Sequence, residues 1–400
     1  MSEFVSGNRL QLLDSGREYF PALLTALAQA ECEIHLESYI FADDPVGHAV
    51  ADALCRAARR GVRVNVIVDG FGARNFPADF RPQLTQAGVQ TLIYRPELDP
   101  LRLRRHRLRR LHRKLVVIDA RIAFVGGINI IDDHNAAPEM APRYDYAVRI
   151  EGPVLAQICL AARRMWEILA WVSFKRRYRL HHPCPPDIHP KGEQSACFLI
   201  RDSIRHRNDI QNAYLEAIRQ ARDEILIANA YVLPGWRFGQ ALLAAAARGV
   251  RITILLQGKT DHPLLHYATR ALYARALAAG IRIYEYEKSF MHAKVAVIDD
   301  HWATVGSSNI DPFSLLLAKE GNLVIQDKTF ALTLKDSLQK AIRNGACEMH
   351  HGDHRTRPWY RRPLPWLAYW LVRALSDLAG YGQRHWHPEA QEPPENKTKP

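Results

Sequence analysis

HRKLVVIDARIAFVGGIN, residues 112–129, and HAKVAVIDDHWATVGSSN, residues 292–309, are two copies of one pattern, H-x-K-x4-D-x6-G-[GS]-x-N. Side chains alternate along a strand, so His112 and Lys114 share a face, as do His292 and Lys294. The runs LVVI and VAVI that follow read as buried strand. A polar pair at the mouth of such a strand gains little from packing. A lone His or Lys there would ordinarily be structural or solvated, but the whole pattern, repeated, points to chemistry.

Moving outward from the two copies, further elements recur in the same order. In the first half a helix-like stretch, Tyr19–Ala30, leads to the strand-like ECEIHLESYIF. A second helix-like stretch, Gly47–Ala58, is followed by RRGVRVNVIVDGFG and AGVQTLIYR. The other half runs Ile210–Ala221, DEILIANAYVL, Phe238–Ala247, ARGVRITILLQG and AGIRIYEYE. Offsets between equivalent residues drift, 188 for Gly61 to Gly249, 192 for Gly88 to Gly280 and 180 for His112 to His292, as expected when only surface loops change length. Helices alternating with strands predict an α/β unit, a sheet flanked by helices. Two copies in 400 residues predict two similar half-domains forming a pseudo-dimer in one chain. The expected boundaries are 1–182, a Pro-rich linker at 183–194, 195–350, a basic aromatic segment at 351–386 and a polar, disordered tail at 387–400.

The residue types suit phosphodiester chemistry. A neutral imidazole can attack phosphorus while a second, protonated imidazole donates to the leaving oxygen. Lys114, Lys294, Asn129 and Asn309, with the Ser307 hydroxyl, can hold the non-bridging phosphate oxygens as charge develops on them.

At this point the chain resembles the phospholipase D superfamily, whose hallmark is a duplicated H-x-K-x4-D motif, and within it the bacterial cardiolipin synthases of the shorter type. The resemblance spans about Gly7 to Ile342 and includes LESYIF, RRGVRVNVIVDG, RYDYAVRIEGP, ANAYVLPGWRF and HWATVGSSNIDPFSL. It implies two phospholipase D-like α/β half-domains with one pseudo-twofold active site and a phosphatidyl-histidine intermediate. It also implies no metal or other cofactor. The catalytic set carried over is His112, Lys114, Asp119, His292, Lys294 and Asp299. Asp119 and Asp299 stand five residues past each Lys, beyond an apolar strand, so structural support of the motif is their alternative role. Related enzymes place an acidic residue downstream of the motif, where this chain has Asp145 and Glu320. These are candidates to orient the imidazoles, with a surface salt bridge as the alternative. Gly127 departs from the family, where Ser is common at this position and is present in the second copy as Ser307.

Composition bears on partners. Lys and Arg outnumber Asp and Glu by 54 to 42, a formal charge of +12, which favours an anionic partner. LRLRRHRLRRLHRK, 101–114, holds eight Arg or Lys residues, six of them before His112, either a solvated face or a collar for anionic head groups. Near the C-terminus Leu367, Trp370, Leu371, Ala374, Leu375 and Leu378 follow the helical period. They suit an interfacial helix, with packing against the body as the alternative. The start carries no signal-peptide pattern, and no run is apolar and long enough to span a bilayer. Six cysteines without a C-x-x-C pair read as free thiols rather than a metal site or disulfide framework. The partners expected are phosphatidylglycerol and other phospholipids at an anionic membrane surface, on the cytoplasmic face of the bacterial inner membrane, and no nucleic acid. Rival readings are a hydrolytic phospholipase D or nuclease, and a membrane-binding module with a dead site.

Overall fold

The computed structural model describes residues 3–96, 109–175, 178–180, 182–202, 205–259, 263–311, 318–350 and 364–378. The first half supplies β1 (Val5–Asp14), β2 (Glu33–Ser38), β3 (Arg63–Asp69), β4 (Gln90–Tyr94), β5 (Arg110–Leu111), β6 (Lys114–Ile118), β7 (Ile122–Gly126) and β8 (Tyr146–Glu151). The second supplies β9 (Gln194–Arg201), β10 (Glu224–Asn229), β11 (Arg251–Gln257), β12 (Arg282–Tyr286), β13 (Lys294–Ile298), β14 (Trp302–Gly306), β15 (Ala318–Gln326) and β16 (Ala346–Met349). All join one continuous sheet. β1 and β9 pair antiparallel at its centre. Outward from this pair run β8-β7-β6-β2-β3-β4 on one side and β15-β14-β13-β10-β11-β12 on the other, with β16 added at that edge. The internal repeat is therefore a pseudo-twofold about the β1–β9 seam.

Local chemistry fixes the connections. Helix α1 (Ser15–Ala28) follows β1, and α2 (Pro45–Arg59) carries the crossover from β2 to the parallel β3. α2 starts with Pro45 in its first turn and Asp44 as N-cap, whose carboxylate accepts the Gly47 N–H at 2.8 Å. It stops at Gly61, whose φ of +93° an L side chain rarely adopts. The β6–β7 hairpin turns on Asp119 and Ala120, with φ of 50° and 53°; β13–β14 turns on Asp299 and Asp300, with φ of 49° and 55°. Two consecutive positive φ values match the twist of such a hairpin, and Asp tolerates them well.

These turns bear on the two roles left open for the motif aspartates. The Asp119 carboxylate accepts the N–H groups of Glu31, Cys32 and Glu33 at 2.7–2.9 Å. Asp299 does the same for Arg222, Asp223 and Glu224 at 2.8–2.9 Å. Each carboxylate pins the turn that launches the neighbouring strand, at the end of β6 or β13 remote from the histidine. Neither carboxylate hydrogen-bonds His112 or His292, which favours the structural role over the catalytic one.

Alternation sorts the strand residues onto two faces. Ile34 and Leu36 face α1 and α2, and Ile225 and Ile227 face α4 (Asp209–Gln220) and α5 (Trp236–Ala247). On the opposite face, α3 (Leu155–Val172) and α7 (Lys328–Gly345) cover a core that runs across both halves, with Val117, Ile150 and Ile158 in one cluster with Phe198, Val297 and Leu334. The halves thus share a sheet and a core.

At the C-terminal side, α8 (Leu364–Leu378) packs on α6 (Pro263–Arg270). Of the expected stripe, Leu367, Trp370, Leu371 and Ala374 lie on the outer face of α8, and other residues form its buried face. Tyr369 and Val372 are fully buried against the body, whereas Leu367, Trp370 and Leu371 point outward with 63%, 50% and 50% exposure. Residues 351–363 and 379–400 of the expected basic segment and tail lie outside the described residues, as does 101–108 of the basic run. Cys32 and Cys184 are joined as a disulfide, which corrects the reading of those two as free thiols. Cys55, Cys159 and Cys197 are buried and free, and Cys347 is exposed.

Candidate active site

His112 and His292 sit just before β6 and β13, and the opposite half clamps each of them. The His112 N–H donates to the Lys319 carbonyl at 3.0 Å, and the His292 N–H to the Tyr144 carbonyl at 2.8 Å. The preceding residues are held from within their own half. The Leu111 N–H donates to Asp69 Oδ2 at 2.8 Å and the Met291 N–H to Gln257 Oε1 at 2.6 Å. Asp69 and Gln257 end β3 and β11 at matching points of the repeat, in VIVDG and ILLQG. The sequence reading missed both, although a polar residue before glycine at the same repeat position was the signal for them.

The imidazole partners are exchanged between halves. His112 Nδ1 lies 3.0 and 3.1 Å from the Glu320 oxygens, and His292 Nδ1 lies 2.8 Å from Asp145 Oδ2. Glu320 is fully buried and Asp145 nearly so. A buried carboxylate on Nδ1 fixes the tautomer with its lone pair on Nε2, which leaves that atom for chemistry. The departure at Gly127 has a steric cause. A Cβ there would stand 2.3 Å from Asp145 Oδ1, so the carboxylate fills the space a serine would occupy. In the other half Ser307 donates its hydroxyl to Glu320 Oε2. Ser307 is thus engaged with a carboxylate and fully buried.

Lys114 Nζ donates to the His112 carbonyl at 2.7 Å, and Lys294 Nζ donates to the His292 carbonyl. Lys294 Nζ also lies 3.8 Å from Asp145 Oδ2. Asn129 Oδ1 accepts the Ile40 N–H at 3.1 Å, which orients its amide. Asn309 is half-buried at the equivalent position. Aromatic rings wall the site. Tyr39 meets His112 edge-on at 5.0 Å and lies 5.4 Å from Lys114 Nζ, and Phe290 stacks on His292 at 5.9 Å. Tyr39 and Phe290 were not among the sequence candidates. Nothing in their spacing distinguishes them from core residues.

Burial sets the electrostatics. It holds the His112 imidazolium below its ordinary range, against the pull of Glu320. His292 is pushed well down by burial and then by Lys294, Lys114 and His112. Lys114 falls to about 7, again chiefly by burial, and Asp145 rises to about 6 for the same reason. Each imidazole feels the lysine of the other half, so the two motifs form one site. The resting site holds two imidazoles whose protonation burial disfavours, beside two lysine side chains.

Arg113, between His112 and Lys114, points the other way. Its guanidinium makes two 2.7 Å bonds to Glu37, both residues buried. At the matching positions of the second half stand Ala293 and Ala228. One half thus braces its histidine strand with an ion pair where the other uses two methyl groups.

The family model described as "Cardiolipin synthase, PLD-like domain" matches residues 23–166 and 214–342. Cardiolipin synthase B of Salmonella typhimurium is 43% identical over 389 residues, 97% of this chain and 93% of that protein. Cardiolipin synthase B of Escherichia coli K12 is 40% identical over 394 residues, 98% of this chain and 94% of the other. The major cardiolipin synthase of Bacillus subtilis is 32% identical, covering 85% of this chain and 70% of its own length. Among solved structures, phosphatidylserine synthase of Haemophilus influenzae superposes with a TM-score of 0.66 at 16% identity, covering 93% of this chain and 95% of that one. At that identity the likeness concerns the fold. With the family model matching both halves and close relatives matched over nearly their full length, the chain belongs to the cardiolipin synthase family of phospholipase D-like proteins.

Proposed function

We propose that this protein is a cardiolipin synthase that moves a phosphatidyl group from one phosphatidylglycerol to another and releases glycerol. The observation that carries the reading is the exchanged pair of histidine–carboxylate contacts around two lysines. His112 Nε2 attacks phosphorus; both Glu320 oxygens stand by its Nδ1, which favours the positive charge the ring acquires. The bond from phosphorus to the glycerol oxygen breaks, and the His292 imidazolium gives its proton to that oxygen. A phosphodiester anion entering the site favours that imidazolium, and the depressed affinity of His292 for its proton makes it a strong donor. In the second step His292 takes the proton of the primary hydroxyl of a second phosphatidylglycerol. That oxygen attacks phosphorus, and the phosphorus–nitrogen bond to His112 breaks. Lys114, Lys294, Asn129 and Asn309 hold the non-bridging oxygens throughout.

Both substrates are membrane lipids, so we place the protein as a peripheral one at the cytoplasmic face of the bacterial inner membrane. The outward Leu367, Trp370 and Leu371 of α8 and the net charge of +12 support this placement. No helix among the described residues is long and apolar enough to cross a membrane. The deciding experiment offers purified protein vesicles of labelled phosphatidylglycerol, with plasmid DNA in parallel. Cardiolipin with free glycerol is the expected outcome. Phosphatidic acid as the main product, or cleaved plasmid, would move the reading to hydrolysis.

A further inference from the structure

Away from the imidazoles a cavity of about 650 Å³ opens between the halves. Its walls are the start of α1 and the loop at 132–144 on one side, and the end of β12 with the last turns of α7 on the other. Its volume falls within the roughly 300–1,000 Å³ usual for small-ligand sites. Arg17, Arg143, Lys288 and Lys340 line it. Among the described residues neither Lys288 nor Lys340 has a carboxylate within ion-pair distance, and both are exposed at the rim.

The cavity's acidic side chains are engaged differently. Asp133 accepts the Gly16 N–H at 2.7 Å, Asp132 accepts the His134 N–H at 2.8 Å, and Asp14 accepts the Ser15 and Ser337 hydroxyls at 2.8 and 3.3 Å. Carboxylates committed to N–H and hydroxyl donors compete weakly for the rim cations. Their remaining lone pairs suit alcohols. Rim cations suit a phosphodiester, and hydroxyl acceptors beside them suit a polyol attached to it. We infer that this cavity is a second, non-catalytic subsite that takes the hydroxyl-bearing phosphodiester head group of an anionic phospholipid. The inference rests on the lipid reading above. Neither His112 nor His292 lines the cavity. Arg143 links the two places: its guanidinium lies 5.4 Å from the centre of the Phe290 ring, which stacks on His292. A head group bound at Arg143 therefore sits one ring away from the catalytic pair.

The test counts binding sites on the full chain carrying His112→Ala, so that no turnover consumes the probe. Calorimetry with dihexanoyl phosphatidylglycerol should find two sites per chain. Adding Lys288→Ala and Lys340→Ala should weaken one of them at least tenfold and leave the thermal midpoint unchanged. Lys340→Glu, on the exposed side of α7, serves as a second variant and should act alike. Glycerophosphoglycerol should compete at the weakened site, since the chemistry recognised is that of the head group. One site before any lysine is changed, or two unaltered sites after both are changed, would overturn the inference. So would saturation of the lysine-dependent site by inorganic phosphate with no binding of the lipid. Cardiolipin formation by the wild-type chain is measured separately. Its absence would overturn the catalytic reading, whereas the lysine-dependent binding count decides the subsite.

Discussion

Glu320 of the second half lies 3.0 Å from Nδ1 of His112 in the first, and Asp145 of the first half lies 2.8 Å from Nδ1 of His292 in the second. Each imidazole therefore takes its orienting carboxylate from the opposite copy of the repeat. Glu320→Gln and Asp145→Asn keep the shape but replace the acceptor. Each should lower kcat by about 10²–10⁴-fold while binding of a lipid analogue changes little. Steady-state kinetics on phosphatidylglycerol vesicles check this. A drop confined to one variant would show that only one of the two contacts matters.

On the proposed division of one reaction between two histidines, His112→Ala or His292→Ala alone should remove at least about 10³-fold of turnover. The double variant should be little worse than either. Losses that multiply would mean that the two residues act independently, against a shared site.

Gly127 and Asp145 fit one another as Ser307 and Glu320 do. Gly127→Ser alone places a side chain onto the Asp145 carboxylate, and about a tenfold or larger loss of activity is expected. Gly127→Ser with Asp145→Glu reproduces the pairing of the other half and should recover much of it. Failure of the double variant to exceed the single one in the vesicle assay would count against this equivalence.

Burial lowers Lys114 to about 7, so in the free enzyme its ammonium is present below that pH and lost above it. The value of kcat/KM should therefore fall as pH rises through about 7. The limb in kcat should lie higher, because a bound phosphodiester anion stabilises the ammonium. Lys114→Arg, which stays charged, should lose the kcat/KM limb at some cost in rate. A limb of unchanged position in that variant would assign it to another group.

Glu37→Ala strands a buried guanidinium and should cost about 3–5 kcal/mol in unfolding free energy. Glu37→Ala with Arg113→Ala copies Ala228 and Ala293 of the other half and should be closer to wild type. Denaturant melts of the three proteins decide it. On α8, polar replacement of Leu367, Trp370 and Leu371 should weaken binding to anionic vesicles without altering the melt. Deleting the helix should instead destabilise the chain, since Tyr369 and Val372 are buried by it.

The recurrence of elements in the two halves and both histidine–lysine pairs were legible because each rests on local pattern: alternation, glycine after a helix, and a spacing repeated. The central strands β1 and β9 and the order of strands in the sheet were not. Asp145 and Glu320 were legible as positions but not as an exchange, since which half a carboxylate serves depends on how the β1–β9 seam joins the halves. For the motif aspartates the sequence left a catalytic and a structural role open, because it shows the strand between them and the histidine but not what stands at its far end. Five residues of β6 carry Asp119 to the opposite end, onto the turn at Glu31–Glu33. The Gly127 departure could not be read from one position, because its explanation is the carboxylate that fills its space. The Cys32–Cys184 bridge joins residues 152 apart, with no spacing signature to announce it.

The β1–β9 seam has one more consequence. Two-domain enzymes often admit substrate by swinging open about a linker, but here the seam is a hydrogen-bonded strand pair, backed by a core common to both halves. Opening such a joint would tear the sheet. The clamshell route is closed, so on the proposed lipid reading a substrate would have to reach the site with the halves still joined. Turnover should therefore respond to how easily a head group can be lifted from the surface, and vesicle curvature and lipid packing become kinetic variables in their own right.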